Sequence, residues 1–265
     1  MTAPFAAPLS EPLESLLAAQ PENDPVSAQA VAFRAGDVDF GSFVARPSDD
    51  SATAELRPAV LIISDWSGLN DHARARAVML ARLGYIAMAG DVYGGGVQLP
   101  PNEAGPAAGK FYGDPELFRA RMLANLEQVR SLPGVDPDRI AVMGYCFGGS
   151  GSLELVRTGV ELAGVVSFHG RLQSGIRAGL GDVRTPILLL TGANDPVVPD
   201  DSVIDFENEM REAEAPDWQV VSYSGAMHAF TMPEANAPDH GATFNARANE
   251  RSWQAMRAFF DEIFA

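Results

Sequence analysis

Cysteine occurs once in the 265 residues, at Cys146, and lysine once, at Lys110. A single cysteine excludes an internal disulfide, which fits a reducing compartment and leaves Cys146 as a free thiol. Basic side chains of either kind are scarce: 19 Lys and Arg face 35 Asp and Glu, a formal charge of −16. That balance argues against nucleic acid and anionic membrane surfaces, both of which attract Lys/Arg-rich faces. No apolar run is long enough to span a bilayer. The first residues lack a basic start and are broken by Pro4 and Pro8, so they do not read as a secretory signal. Histidine is also sparse, and neither His72 nor His240 has a metal-ligand partner at useful spacing. The expectation is a cytoplasmic protein, monomer or homodimer, with no metal and no cofactor, acting on a small molecule.

What is present is hydrophobic and periodic. At 46% hydrophobic, the chain can bury one large core. Residues 1–27 are rich in Ala, Pro and acidic side chains and read as an N-terminal arm, with Leu13, Leu16 and Leu17 placed to pack as a helical turn. Residues 28–265 read as a single domain. Val31 and Phe33, then Val38, Phe40 and Phe43, predict two antiparallel edge strands joined at Gly36-Asp37. Short apolar runs follow at 59–63, 85–88, 140–143, 162–168, 186–190 and 218–223, most nearly continuous, as strands covered on both faces are. Helical patterns separate them at 71–83, 115–132, 149–158 and 200–213, and a last amphipathic helix spans 246–264. Strand and helix alternate, so the fold class is α/β with a mostly parallel, doubly wound sheet. The Gly/Pro-rich stretch 94–113 reads as a loop, either plain surface or a cover over a site.

In such sheets ligands bind beyond the carboxyl ends of the strands. The residues that follow the apolar runs include Asp65-Trp66, Asp91-Val92-Tyr93, Cys146, His169, Asn194-Asp195 and His228. Cys146 sits between Gly144 and Gly148, at a strand-to-helix junction where glycine on both sides lets a sharp turn lift the nucleophile above the sheet. Cysteine and His228 form the minimal nucleophile and base pair, and Asp195 is placed to orient the imidazole. The chain order is nucleophile, acid, base, and the stretch from Asp195 to His228 is about one ~30-residue crossover. The amides of Phe147 and Trp66 are the candidate oxyanion donors. Asp65 either lines the site or binds its own loop, Tyr93 and Tyr145 are candidate pocket walls or core packing, and His169 is a candidate pocket residue or a hydrogen-bonded structural histidine.

The motifs Gly144-Tyr145-Cys146-Phe147-Gly148-Gly149, Gly192-Ala193-Asn194-Asp195-Pro196 and Gly225-Ala226-Met227-His228-Ala229-Phe230 together resemble the dienelactone hydrolase family of α/β-hydrolases, over roughly residues 30–264. The resemblance implies Cys146 as nucleophile, His228 as base, Asp195 as its partner, and the amides of Phe147 and Trp66 as oxyanion hole. It implies hydrolysis of a small ester or lactone. Acyl transfer, thioester cleavage, or a binding or redox-sensing role on the same scaffold are the alternatives. Two departures bear on the substrate. The family's oxyanion-loop glutamate corresponds to Asp65, one methylene shorter. The arginines that grip the dienelactone carboxylate correspond to Met232 and Gly95, which argues against dienelactone itself. Arg119 and Arg121 in the following helix are the remaining candidates for charge at the site.

Overall fold

The computed structural model describes Phe5 and residues 8–19, 26–48 and 56–265. Of the expected arm, residues 1–4, 6–7 and 20–25 lie outside the described residues. The elements in chain order are α1 (Glu11–Ala18), β1 (Val26–Ala35), β2 (Val38–Pro47), β3 (Arg57–Ile63), α2 (Asp71–Arg82), β4 (Ile86–Gly90), α3 (Pro101–Tyr112), α4 (Pro115–Ser131), β5 (Val135–Tyr145), α5 (Phe147–Val156), β6 (Gly164–Phe168), β7 (Ile187–Gly192), α6 (Asp200–Glu212) and β8 (Trp218–Tyr223). A two-residue pair, β9 (Asn236–Ala237) and β10 (Ala242–Thr243), precedes α7 (Ala246–Ile263).

Eight strands form one sheet in the order β1-β2-β4-β3-β5-β6-β7-β8. The β1/β2 and β2/β4 pairs are antiparallel, and every pairing from β4 across to β8 is parallel. The sheet has helices on both faces, so its central strands are dry: Ala59 to Ile63 are at most 1% exposed. One buried layer joins Val60, Ile62, Met143 and Phe168 to Trp253, Met256 and Phe260 of α7. The other joins Leu61, Ile63 and Val142 to Phe118, Met122 and Leu126 of α4.

Helix starts follow local chemistry. Asn70, Asp114 and Asn245 each accept a hydrogen bond from the amide three residues on, which satisfies one of the donors orphaned at a helix N-terminus. The stretch 94–113, expected as a loop, holds α3 instead. Pro101 opens it in the first turn, where a missing N–H costs nothing, and Pro106 lies inside it. Ala104, Ala108 and Phe111 form its buried stripe. The leucine cluster near the N-terminus forms α1, which buries Leu13 and Leu16.

Candidate active site

β5 ends at Tyr145 and α5 begins at Phe147, so Cys146 alone makes the turn, with φ 52° and ψ −112°. Positive φ is costly for a residue with a Cβ, and the surrounding backbone holds it there. The Cys146 amide donates to Phe168 O at 2.9 Å, and the Gly148 amide donates to Ser64 O at 2.9 Å. A Cβ on Gly144 would strike the Gly148 carbonyl, and one on Gly148 would strike that of Ile63. Both glycines are therefore required by close approach of backbone to backbone, as the sequence spacing predicts.

His228 Nε2 lies 3.0 Å from Cys146 Sγ, and its Nδ1 lies 2.8 Å from Asp195 Oδ2. Asp195 follows β7, and its other oxygen, Oδ1, accepts from the amides of Val197 at 2.8 Å and Val198 at 3.3 Å. The side chain of Asp195 is fully buried. The loop carrying His228 is fixed to β10: His228 donates to Gly241 O, and Thr243 donates to His228 O. Burial pulls the His228 pKa down, but the charge of the neighbouring Cys146 sulfur and the bonds to Asp195 and Cys146 outweigh it and push it up to about 10.

The loop after β3 carries Trp66. Its carbonyl accepts the Tyr93 hydroxyl at 2.7 Å, which leaves Tyr93 bracing the loop from beneath. Among the described residues, neither the Trp66 nor the Phe147 amide has a protein acceptor. Asp65 lines the cavity, yet its carboxylate is engaged by its own loop, accepting from the Ser67 amide at 2.7 Å and Asn70 Nδ2 at 3.0 Å. Burial raises its pKa. No hydrogen bond joins it to the thiol among the described residues.

Trp66, Cys146 and His228 share a cavity of about 870 Å³ with Leu13, Asn70, Ala108, Tyr112, Val197 and Met232. Three candidate wall residues do not reach it. Tyr145 is fully buried, stacked on Phe168 at 4.7 Å and edge-on to His72, because it shares the strand face of Ala141 and Met143. His169 is fully buried behind the site: its Nε2 bonds Thr231 Oγ1 at 2.7 Å and its ring meets the His228 ring edge-on at 5.2 Å. Tyr93 braces the loop rather than lining this cavity. Asp91 is a loop-former, accepting from the amides of Gly41, Gly94 and Gly96. Tyr112 went unnoticed in the sequence because α3 did. It bounds the cavity with its hydroxyl 3.4 Å from Ser150 Oγ, and burial raises its pKa.

The sequence model of the dienelactone hydrolase family matches residues 40–264. The chain belongs to the dienelactone hydrolase family. This member is similar to the dienelactone hydrolase-like promiscuous phosphotriesterase P91 from metagenomic libraries, at 34% identity and a TM-score of 0.85, with 90% of this chain and 98% of that one covered. It is 26% identical over 268 residues to the Escherichia coli (strain K12) protein named "Putative carboxymethylenebutenolidase", covering 97% of this chain and 94% of that protein. Its likeness to the acylaminoacyl peptidase of Pyrococcus horikoshii, at 14% identity and a TM-score of 0.66 over 89% of this chain and 41% of that one, speaks for the α/β-hydrolase fold alone. In this dienelactone hydrolase family member Met232 lines the cavity and Gly95 does not. Arg119 and Arg121 are also absent from its wall: Arg119 pairs with Glu154 at 2.9 Å, and Arg121 lies over the Phe40 ring.

Proposed function

We propose that this chain hydrolyses small, uncharged esters or lactones through an acyl-enzyme on Cys146. The carrying observation is the unbroken line from Cys146 Sγ through both nitrogens of His228 to Asp195, opening on the cavity. His228 Nε2, 3.0 Å from the sulfur, is within reach to hold the thiol proton, and the thiolate is the attacking form. The thiolate attacks the carbonyl carbon, and the oxyanion that forms is met by the amides of Phe147 and Trp66. Collapse expels the alkoxide, which takes the Nε2 proton of His228. The neutral imidazole then removes a proton from water as the water attacks the thioester, and collapse releases the acid and restores thiolate and imidazolium. Asp195 holds Nδ1 protonated throughout, so that Nε2 faces the sulfur.

The absence of charge on the substrate follows from the cavity wall. Asp65, Asp71 and Glu234 line it, and among the described residues no lysine or arginine does. A carboxylate-bearing substrate would enter against acidic side chains and an overall charge of −16, with no lysine or arginine among the described residues to receive it. The lactone part of the proposal leans on the family and on the name of the Escherichia coli relative.

The test is turnover of p-nitrophenyl butyrate by the wild type and by Cys146→Ala, with mass spectrometry of the acid-quenched proteins. Turnover with a butyryl adduct on Cys146, both lost in the variant, is the expected result. Turnover retained in Cys146→Ala, or an adduct on another residue, would overturn the assignment. Absence of both turnover and adduct across a panel of esters would favour a binding role for the same cavity.

A further inference from the structure

The residues matched by the family begin at 40, but the cavity wall does not. Ser10 and Leu13 belong to the N-terminal segment and line the same cavity as Cys146 and His228. Leu13 is 2% exposed and packs in the layer that holds Leu69 and Ala73 of the α2 side. The Ser10 hydroxyl is buried and meets no hydrogen-bond partner among the described residues. α1 is fastened to the domain from both ends: the Arg82 guanidinium donates to Leu17 O at 2.8 Å, and the Phe5 ring stacks on Phe43 at 6.0 Å.

We infer that α1 is a specificity element, a wall outside the residues matched by the family model that sets how long an apolar substrate group the cavity takes, with Leu13 as the residue that limits it. The inference rests on the proposal that this cavity holds the substrate. The same cavity wall holds Gly105, Ala108 and Gly109 of α3 with Val197 and Met232, an apolar lining that suits an alkyl group. A leucine side chain in that wall takes up room that an alkyl group could fill, and each methylene accepted in a hydrophobic pocket is worth about ten-fold or more in discrimination.

Because Cys146 is the only thiol, the cavity is measurable without turnover. The rate of Cys146 labelling by N-octylmaleimide, divided by that for N-ethylmaleimide, reports chain accommodation whether or not any ester is hydrolysed. The ratio is expected to rise about ten-fold in Leu13→Ala and to fall in Leu13→Phe. The ratio of kcat/KM for p-nitrophenyl octanoate over acetate is expected to move in the same directions. A Leu13 that only stabilises the fold would lower the midpoint of urea unfolding and leave both ratios within two-fold of wild type, and that result overturns the inference. Should Leu13→Phe fail to fold, Leu13→Ala alone decides. Ester turnover lost while the maleimide ratio still shifts would refute the hydrolase proposal and leave α1 as the wall of a binding cavity.

Discussion

Asp195→Asn separates what the carboxylate does for the loop from what it does for the imidazole. Oδ1 accepts from the Val197 and Val198 amides, while Oδ2 faces His228 Nδ1. An asparagine in the same rotamer keeps its oxygen on the two amides and turns its NH2 toward Nδ1. That amide donates, so Nδ1 must be the bare nitrogen, and the imidazole proton moves to Nε2, which faces Cys146 Sγ. A protonated neutral Nε2 has no lone pair with which to take a proton from thiol or water. The expected loss in kcat/KM is about 10⁴, the scale seen when the orienting carboxylate of a hydrolase triad becomes its amide, or about 5.5 kcal/mol of transition-state stabilisation. The loop bonds survive, so the unfolding free energy should move by no more than about 1 kcal/mol. Loss of the Asp195 charge and hydrogen bond, both of which raise the His228 pKa, should also lower it. The assays are kcat/KM with p-nitrophenyl butyrate, urea unfolding, and histidine ¹⁵N shifts to read tautomer and titration. A loss under ten-fold in a folded variant would refute the argument, as would an Nε2 that stays unprotonated.

Four further outcomes are expected. Above about pH 10 the His228 imidazolium, the proposed proton donor to the leaving group, is lost, so kcat/KM should fall on an alkaline limb; a plateau through pH 11 with the fold intact would count against it. A p-nitrophenyl ester ending in a carboxylate should react about ten-fold more slowly than its uncharged length-match, with the gap narrowing in 0.5 M salt, given Asp65, Asp71 and Glu234 on the wall; equal rates would refute the charge argument. His72 and His169 are held neutral by burial, so the unfolded chain binds their protons below pH 6.5 and stability is lost as pH falls: about 2.7 kcal/mol between pH 7.5 and 5.5 from the pair, read by urea unfolding, where no loss would contradict their burial as neutral rings. Glu209 accepts two hydrogen bonds from Arg157 at 2.8 Å, and these outweigh the upward push of burial to lower its pKa. Glu209→Gln should therefore cost about 3–5 kcal/mol at pH 7, a difference present above pH 4.5 and shrinking as pH falls through the folded pKa; an equal cost at pH 7 and in acid would break the assignment to charge.

The parts of the site legible in the sequence are those where backbone sterics dictate the residue. Gly144 and Gly148 are forced by close approach, so the elbow declares itself, and the dry runs of β3, β5 and β7 declare the parallel sheet. α3 was hidden because Gly105, Pro106 and Gly109 carry loop character, and its helical stripe is only Ala104, Ala108 and Phe111. Tyr145, for which pocket wall and core packing are both open from the sequence, is decided by a different count. Position at a strand's carboxyl end says that a residue is near the site, whereas the period of two decides which layer it enters; Ala141, Met143 and Tyr145 alternate with Ile140 and Val142, and that count puts the ring in the α7 layer.

What composition conceals most thoroughly is where the backbone is strained. Among the described residues four non-glycine positions have positive φ: Cys146 at 52°, His169 at 42°, Glu214 at 51° and Ala229 at 58°. Three of them are the proposed nucleophile, the ring packed on the proposed base, and the residue after that base. Cysteine and alanine rarely visit this region and histidine does so only modestly more often, so residue preference marks them poorly, and each costs on the order of 1–3 kcal/mol. Glycine at any of the three would relax the backbone, but at 146 and 169 it would remove the thiol or the imidazole. At 229 it would loosen the turn that fixes His228 against β10. The fold sustains these conformations with hydrogen bonds from neighbouring strand ends, Cys146 N to Phe168 O and His169 N to Leu190 O. Side-chain direction at this sheet edge is thus set by tertiary hydrogen bonding against local preference, which is why the candidate residues are legible in the sequence and their orientation is not.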